Sequence, residues 1–258
     1  MLKVYLVQME SQNGNRSANL QKAQKLVHEA APEKGGLIIF PEMFDTGYIP
    51  EKADEFKESY DENSLGITAQ FLAKLSNETG CTVFGGGIRQ SSAGITNHTG
   101  IFVPGKTAEI DGYDKIHPFI PEQKSFTAGQ KITLFKTKEF NIAPTICYDL
   151  RFPELYRDAW KLGINLFTIQ AAWPTVRKSH WETLLKARAI ENQAFVVAVN
   201  TVTQDGRYTG DSQVIDPWGE VIAKATPKKE CIVQVSLHKE LITECRNTLF
   251  SRDSNHTN

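Results

Sequence analysis

The chain has 258 residues, with 29 Lys or Arg and 30 Asp or Glu, so its formal net charge is −1. This balance, without a basic run, offers nothing to attract phosphate backbones or anionic lipid, so we expect neither nucleic acid nor a membrane as a partner. Hydrophobic residues make up 40% and charged residues 23% of the chain, which is the composition of a folded globular protein and excludes a disordered one.

The N-terminal segment MLKVYLVQMESQ turns polar too early for a signal peptide, and no later apolar run approaches the ~20 residues that a bilayer requires. We therefore expect a cytoplasmic protein. The cysteines at 81, 147, 231 and 245 form no CxxC pair and no Cys/His spacing typical of zinc. The sequence thus predicts neither a disulfide framework nor a metal site.

Strand-like and helix-like segments alternate along the first half of the chain. Apolar runs of strand length are KVYLVQM (3–9), GLIIF (36–40) and CTVFGG (81–86), and apolar residues recur at helical spacing over 17–30 and 67–80. The segment NHTGIFVPGKTAEIDGYDKI predicts a hairpin around Pro104-Gly105, because turn residues separate two apolar runs. A hairpin at this point predicts a mixed sheet instead of a purely parallel one.

The same alternation continues in the second half. FNIAPTIC, INLFTIQ, FVVAVN and CIVQVSL are strand candidates, and Pro153 is well placed to begin a helix. Ser179 and Glu182 have capping-box spacing, which predicts a helix opened by Ser179. SQVIDPWGEVIAKA predicts a second hairpin, and a polar tail is expected from about residue 238. No linker-like stretch or long repeat interrupts residues 1–258, so we predict one α/β domain with mixed sheets.

Reactive side chains stand where three of these strands end. Glu42 follows LIIFP, Lys115 follows the hairpin, and Cys147 ends the run NIAPTI before the polarity rises at Asp149. Each has an ordinary interpretation: a solvated glutamate, a surface lysine and a buried cysteine. Cys147, however, falls at a strand-to-helix turn, where a following backbone N–H can face an oxyanion.

The three residue types together suit nucleophilic catalysis. No histidine with an orienting Asn or Asp offers a clear base for the thiol, but a carboxylate can take its proton. Glu42 would be that base and would return the proton to a leaving amine, and Lys115 would stabilise the negative charge on a carbonyl oxygen. His117 is more typical of a packed structural histidine than of a second base.

Glu42 in FPEMF, Lys115 in DKIHPF and Cys147 in ICYDLRFPE, in this order, resemble the carbon–nitrogen hydrolase (nitrilase) superfamily. The resemblance runs from VYLVQM to CIVQVSL. It implies a four-layer αββα sandwich with two mixed β-sheets, which pairs into a homodimer and uses no metal or organic cofactor. The family's second glutamate matches Glu122 in PEQKSFTAG, which is expected to position the lysine or the substrate.

The segment AAWPTVRKSHWETLLKARAIENQAFV is similar to the omega-amidase branch, whose members hydrolyse the terminal amide of small 2-oxo acids such as 2-oxoglutaramate and 2-oxosuccinamate. Such a small-molecule substrate carries a distal carboxylate, for which a cationic anchor is wanted. The candidates are Arg151, Arg177 and His180, although Arg151 could instead form an ion pair with Asp149 or Glu154. Further candidates for the substrate pocket are Tyr148 through its backbone N–H, and the aromatic rings of Trp173 and Phe44, which could also be ordinary packing residues.

The sequence is also compatible with other functions. An amidase for deaminated glutathione would share the core motif but accept a longer substrate, and a nitrilase would use the same thiol on a nitrile carbon. A thiol redox protein would pair oxidised Cys147 with Cys81, Cys231 or Cys245. A binding module without catalysis is disfavoured by the intact set of Glu42, Lys115, Glu122 and Cys147.

Overall fold

Two β-sheets lie face to face in the computed structural model, which describes residues 1–249. The first sheet has seven strands: β1 (Leu2–Gln8), β2 (Leu37–Ile39), β3 (Thr82–Gly85), β4 (Ile88–Ser91), β5 (Gly94–Phe102), β6 (Asp111–Asp114) and β13 (Cys231–Leu237). The second has six: β7 (Phe135–Lys136), β8 (Asn141–Ile146), β9 (Leu166–Ala171), β10 (Phe195–Asn200), β11 (Gln213–Ile215) and β12 (Val221–Lys224).

The helices are α1 (Arg16–Ala30), α2 (Ala53–Phe56), α3 (Ile67–Thr79), α4 (Pro153–Lys161), α5 (Lys178–Asn192) and α6 (Glu240–Leu249). Short 3₁₀ helices cover Pro50–Lys52, Ile120–Glu122, Cys147–Arg151 and Thr175–Arg177. Over residues 1–249, no helix combines the length and the apolar composition that crossing a membrane would require.

Each sheet has a parallel centre with antiparallel strands beside it. β1, β2 and β3 run parallel, with β13 and β5 antiparallel on either side. β8, β9 and β10 repeat this arrangement, with β7 and β11 outside them. The carboxyl ends of the parallel strands therefore meet at one edge of each sheet, which is where α/β proteins commonly place functional residues.

The side chains of the central strands alternate between two apolar layers. In β1, Val4 and Leu6 point into the layer between the sheets, whereas Tyr5 and Val7 pack under α1 and α3. α4 and α5 cover the other sheet in the same way through residues such as Trp181. Burial on both faces explains why these strands are continuous apolar runs, and the layers confirm the predicted αββα sandwich with two mixed sheets.

Some local predictions are wrong. α5 begins at Lys178 with Arg177 at its N-cap and no side-chain cap, so Ser179 lies inside the helix and forms no capping box. The polar tail expected from about residue 238 contains α6, because Ile242 and Cys245 recur at helical spacing and are buried against the rest of the protein. The part of this tail beyond residue 249 lies outside the described residues.

Candidate active site

The predicted residues meet at the carboxyl edge of the sandwich. Glu42 follows β2, Lys115 follows β6 and Cys147 follows β8 directly. β9 ends beside them, and the backbone N–H of Ala172 donates to Glu42 Oε2 at 2.8 Å. Residues that are far apart in the chain are thus brought together by the parallel register of the strands.

Lys115 lies between two carboxylates. Its Nζ is 2.7 Å from Glu42 Oε1 and 2.8 Å from Glu122 Oε2. Asn97 Nδ2 donates to the same two groups, at 2.7 Å to Glu42 and 2.9 Å to Glu122. Glu122 also accepts the Phe119 N–H. The carboxylates are therefore held at fixed positions by an ammonium, an amide and backbone donors.

The side chains of Lys115, Glu122 and Cys147 are buried, and burial changes the pKa of each group. Burial alone would lower the pKa of Lys115, but the carboxylates of Glu42 and Glu122 outweigh it and raise that pKa. Burial also raises the pKa of Glu122. Burial and the negative charge of Glu42 raise the pKa of Cys147 well above its ordinary value, so the resting group is a thiol.

Cys147 stands in a tight turn between β8 and the following 3₁₀ helix. Its φ of 46° lies in the left-handed region, which non-glycine residues occupy only when the surroundings enforce it. Asp149, which is fully buried, supplies that support by accepting the Ile146 N–H at 3.0 Å and the Tyr113 hydroxyl at 2.8 Å. It also accepts the His117 N–H at 2.9 Å and thereby ties the turn to the segment after Lys115.

A cavity of about 140 Å³ opens above the thiol. Arginines and aromatic rings dominate its wall, which is formed by Tyr48, Phe119, Cys147, Tyr148, Arg151, Ala172, Trp173, Pro174, Arg177 and Tyr208. Burial raises the pKa of Tyr208 to about 12 and that of Tyr48 further, so both phenols are neutral donors at ordinary pH. The wall therefore presents positive charge and neutral hydroxyl groups.

The two arginines of the cavity are held by aromatic faces. The Arg151 guanidinium carbon lies 4.7 Å from the centre of the Trp173 ring, and that of Arg177 lies 5.5 Å from the Phe119 ring. Among residues 1–249, neither arginine has a carboxylate within ion-pair distance, so the pairing of Arg151 with Asp149 or Glu154 does not occur. Both cations are available to an anionic ligand.

The other predicted residues differ in whether they line the cavity. Tyr148 and Trp173 line the cavity, whereas the exposed His180 reaches it indirectly, with Nδ1 3.2 Å from Arg151 Nη2. The prediction that Phe44 lines the pocket is wrong: its ring stacks on Phe40 at 4.3 Å in the core beneath the helices, because the chain turns at Met43 and directs Phe44 inward.

Sequence analysis did not identify Asn97, which contacts both glutamates, or the supporting role of Asp149. A signal for Asn97 exists: Thr96, Asn97, His98 and Thr99 are consecutive polar residues that are all buried within β5. Buried polar residues in a strand need partners, and such a run indicates a network behind it. No comparable signal marks Tyr208, which an irregular loop carries to the cavity.

The chain is similar to known proteins over nearly its whole length. The sequence profile described as "Carbon-nitrogen hydrolase" matches residues 3–247. A 2-oxoglutaramate amidase of Bacillus subtilis is 32% identical over 94% of this chain and 93% of its own length. An omega-amidase of Xenopus tropicalis is 30% identical over 91% of this chain and 88% of its own.

Among solved structures, a carbon–nitrogen hydrolase superfamily protein of Xanthomonas campestris with an arsenic adduct in its active site superposes with a TM-score of 0.87. It is 30% identical, and the match covers 96% of this chain and 94% of the other. Sequence profile, relatives and fold agree over nearly the whole length, and the chain belongs to the carbon–nitrogen hydrolase family, whose members are hydrolases of carbon–nitrogen bonds.

Proposed function

We propose that the protein is an omega-amidase that cleaves the terminal amide of a small 2-oxo acid, of the 2-oxoglutaramate or 2-oxosuccinamate type, to the dicarboxylate and ammonia. One observation carries the proposal: the cavity above Cys147 contains two arginines that no carboxylate of residues 1–249 neutralises. The names of the Bacillus and Xenopus relatives agree with it.

In the first half of the proposed reaction, Cys147 Sγ attacks the amide carbon while the thiol proton passes to Glu42. Because the pKa of the thiol is raised, the thiolate forms only as its proton is transferred to this carboxylate. The oxyanion is stabilised by the Lys115 ammonium and the Tyr148 N–H. Glu42 then protonates the nitrogen, the carbon–nitrogen bond breaks, ammonia leaves and a thioester remains.

In the second half, water attacks the thioester carbonyl and gives its proton to Glu42. The same two donors stabilise the second oxyanion. When the carbon–sulfur bond breaks, the carboxylic acid departs and Glu42 returns the proton to the Cys147 sulfur. Glu42 thus transfers a proton twice in each direction, and a buried position beside Lys115 keeps its carboxylate in place throughout.

The distal end of the substrate meets the arginines. A guanidinium can hold a carboxylate through two parallel hydrogen bonds, and stacking on Trp173 and Phe119 restricts its movement. The volume of about 140 Å³ is well below the ~300–1,000 Å³ typical of sites for drug-sized ligands. Size and charge together favour a short anionic acyl group over deaminated glutathione.

Two alternatives outside amide hydrolysis find less support. Cys81 lies in the layer under α1 and α3, whereas Cys147 belongs to the core under α4 and α5, and all four cysteines are free thiols. Their separation into different layers disfavours Cys81 as a resolving partner of Cys147 in a redox cycle. A binding module without catalysis would not require the buried charges of Glu42, Lys115 and Glu122, whose desolvation is costly.

The test is a side-by-side assay of ammonia release from 2-oxoglutaramate, 2-oxosuccinamate and deaminated glutathione, with acid release from a nitrile measured in parallel. We expect the 2-oxo amides to give the highest kcat/KM and a Cys147 acyl adduct in the intact mass. Cys147→Ala should remain folded and lose nearly all turnover. Parental ammonia release by that variant would refute the mechanism, and preference for deaminated glutathione would refute the substrate assignment.

Homodimer formation remains a prediction from the resemblance, and a cytoplasmic location remains a prediction from the polar turn of the N-terminal segment. Light scattering of the purified full-length protein checks the first. A mass corresponding to one chain at assay concentration would contradict it.

A further inference from the structure

We propose that His98 is a positioning residue of the active site, held as an imidazolium between two carboxylates so that β5 and β6 present Asn97 and Lys115 to the glutamates. The inference rests on the proposed function for its catalytic consequence. It concerns a buried charge cluster on the face of β5 opposite Asn97, away from the substrate cavity.

Both ring nitrogens of His98 face an acceptor. Nδ1 is 2.8 Å from Asp114 Oδ1, and Nε2 is 2.8 Å from Glu109 Oε2, while the side chain itself has no exposed surface. A neutral imidazole has one N–H and would leave a lone pair against one of these carboxylates. With both carboxylates ionised, two acceptors at hydrogen-bond distance require a proton on each nitrogen, which makes the ring a cation.

The other charged and titratable groups around the ring come from β4 and from the loop before α3. Arg89 Nη1 lies 3.3 Å from Asp114, and Arg89 Nη2 lies 3.9 Å from Glu109. The Tyr60 ring meets the imidazole edge-on at a centroid distance of 4.8 Å. Burial would lower the pKa of His98, but Glu109 and Asp114 outweigh it and raise that pKa above its ordinary value. The carboxylates thus favour the charged ring even though Arg89 shares them.

The cluster adjoins the active site through the backbone. His98 and Asp114 are partners in the antiparallel ladder of β5 and β6. The residue before His98 is Asn97, and the residue after Asp114 is Lys115, whose N–H donates to the Asn97 carbonyl at 2.9 Å. Successive side chains of a strand point to opposite faces, so the ion cluster lies on one face and the two active-site donors on the other.

The surroundings leave the ring little freedom. A Cβ atom on Gly112 would stand 2.3 Å from His98 Cε1, and one on Gly86 would stand 2.1 Å from the His98 carbonyl oxygen. Gly112 therefore packs directly against the imidazolium, and Gly86 packs against the backbone of His98. When the ring loses its proton, one of its two hydrogen bonds turns into a contact between a lone pair and a carboxylate, and the ladder beside Asn97 and Lys115 loosens.

The experiment measures the rate at which iodoacetamide alkylates Cys147, mapped by peptide mass, because this reports the state of the thiol without any amide substrate. The rates of His98→Gln and Glu109→Gln are divided by the parental rate at each pH, which cancels the ordinary ionisation of the thiol. His28→Gln is the matched control, since His28 pairs with Glu78 on the surface at 3.5 Å. A titration of the His98 ring by NMR accompanies the rates.

We expect His98→Gln to alkylate about ten- to a hundredfold more slowly below the pH at which the parental His98 loses its proton, as misplaced catalytic groups do, and the ratio should rise towards one above that pH. Glu109→Gln should match the parent at low pH and fall behind as pH rises, because removing one carboxylate lowers the pH at which His98 loses its proton. His28→Gln should follow the parent throughout. A residue with only a structural role would lower the ratio equally at every pH.

Two results would overturn the proposal. The first is an NMR titration that shows the His98 ring to be uncharged at neutral pH. The second is a His98→Gln variant whose alkylation rate is within twofold of the parental rate. If His98→Gln fails to fold, Glu109→Gln alone decides, and a ratio that does not change with pH contradicts the inference. A parent that alkylates as expected but hydrolyses no amide would contradict the proposed function and leave the positioning role in place.

Discussion

Lys115 Nζ lies 2.7 Å from Glu42 Oε1 while the two side chains are 1% and 0% exposed, so this ion pair is formed almost without water. A second carboxylate, that of Glu122, lies on the other side of the same ammonium at 2.8 Å. One cation thus serves two anions. The ammonium of Lys115 therefore has two roles: it holds the Glu42 base in place, and it stabilises the oxyanion in the proposed reaction.

The first prediction is the effect of Lys115→Gln. Losing one oxyanion donor typically lowers kcat by ~10²–10³. The variant also leaves two carboxylates without their cation, and breaking a buried ion pair typically costs about 3–5 kcal/mol of unfolding free energy. Ammonia release and urea unfolding measure the two effects. Lys131→Gln, which removes an exposed lysine 3.5 Å from Asp111, should change neither. A Lys115→Gln variant with parental stability would show that the pair does not hold the site together.

The second prediction separates substrate anchoring from chemistry. Arg151→Met and Arg177→Met should each raise KM for a 2-oxo amide about 10- to 100-fold, because a hydrogen bond to a charged group contributes about 1.5–3 kcal/mol. Both variants should hydrolyse an amide without a distal carboxylate as fast as the parent does. Met keeps much of the arginine's apolar contact with the ring below it.

The matched control is Arg157→Met, because Arg157 also stacks on a tryptophan, Trp160, at 5.0 Å, but on α4 away from the cavity. This variant should leave KM for both amides unchanged. An equal loss for both amides in the Arg151 and Arg177 variants would mean that these residues shape the cavity without binding a carboxylate.

Much of this arrangement follows from the sequence, for identifiable reasons. Glu42 and Cys147 end continuous apolar runs, and a run buried on both faces must finish at a sheet edge, so their placement was predictable. The α/β class with mixed sheets followed from the alternation of strand and helix patterns, whereas the four-layer sandwich was implied by the family resemblance. Family resemblance supplied Glu122, whose own flanking residues carry no strand signal.

The contacts between side chains were not predictable. Asn97 reaches the glutamates only because β5 and β6 pair in one particular register, and a shift by one residue would turn it to the opposite face. Phe44 was misplaced because a positive φ at Met43 changes the direction of the chain within two residues. Ser179 has the spacing of a cap, but a 3₁₀ turn over Thr175–Arg177 starts the helix earlier.

The third prediction concerns the turn that carries the thiol. Asp149→Asn replaces one acceptor oxygen by an NH₂ group, which would face donors such as the Ile146 N–H or the His117 N–H. Leaving a buried donor without an acceptor costs about 1–3 kcal/mol, and the left-handed Cys147 would lose its support. We expect a lower melting temperature together with a drop in kcat at unchanged KM.

Tyr113→Phe serves as the comparison for Asp149→Asn, because it removes the hydroxyl that donates to Asp149 but leaves the acceptor free for the other N–H groups. Its loss of stability should be smaller, about 1 kcal/mol. If Asp149→Asn kept the parental kcat, the conformation of Cys147 would depend on other contacts.

The fourth prediction is a pH dependence of stability. Burial opposes the charge of Asp114, but hydrogen bonding and charge from His98 outweigh it and lower the pKa of Asp114 from 3.8 to about 2. A depressed pKa stabilises the fold above the ordinary value, and this contribution is lost as pH falls towards about 2. As the pH is lowered from 3.8 to about 2, the free energy of unfolding of the parent should fall more than that of Asp114→Asn. The difference between the two proteins should reach up to about 2 kcal/mol. Asp54→Asn, at an exposed position, should retain the parental slope, and equal slopes for all three proteins would show that His98 does not stabilise the Asp114 carboxylate.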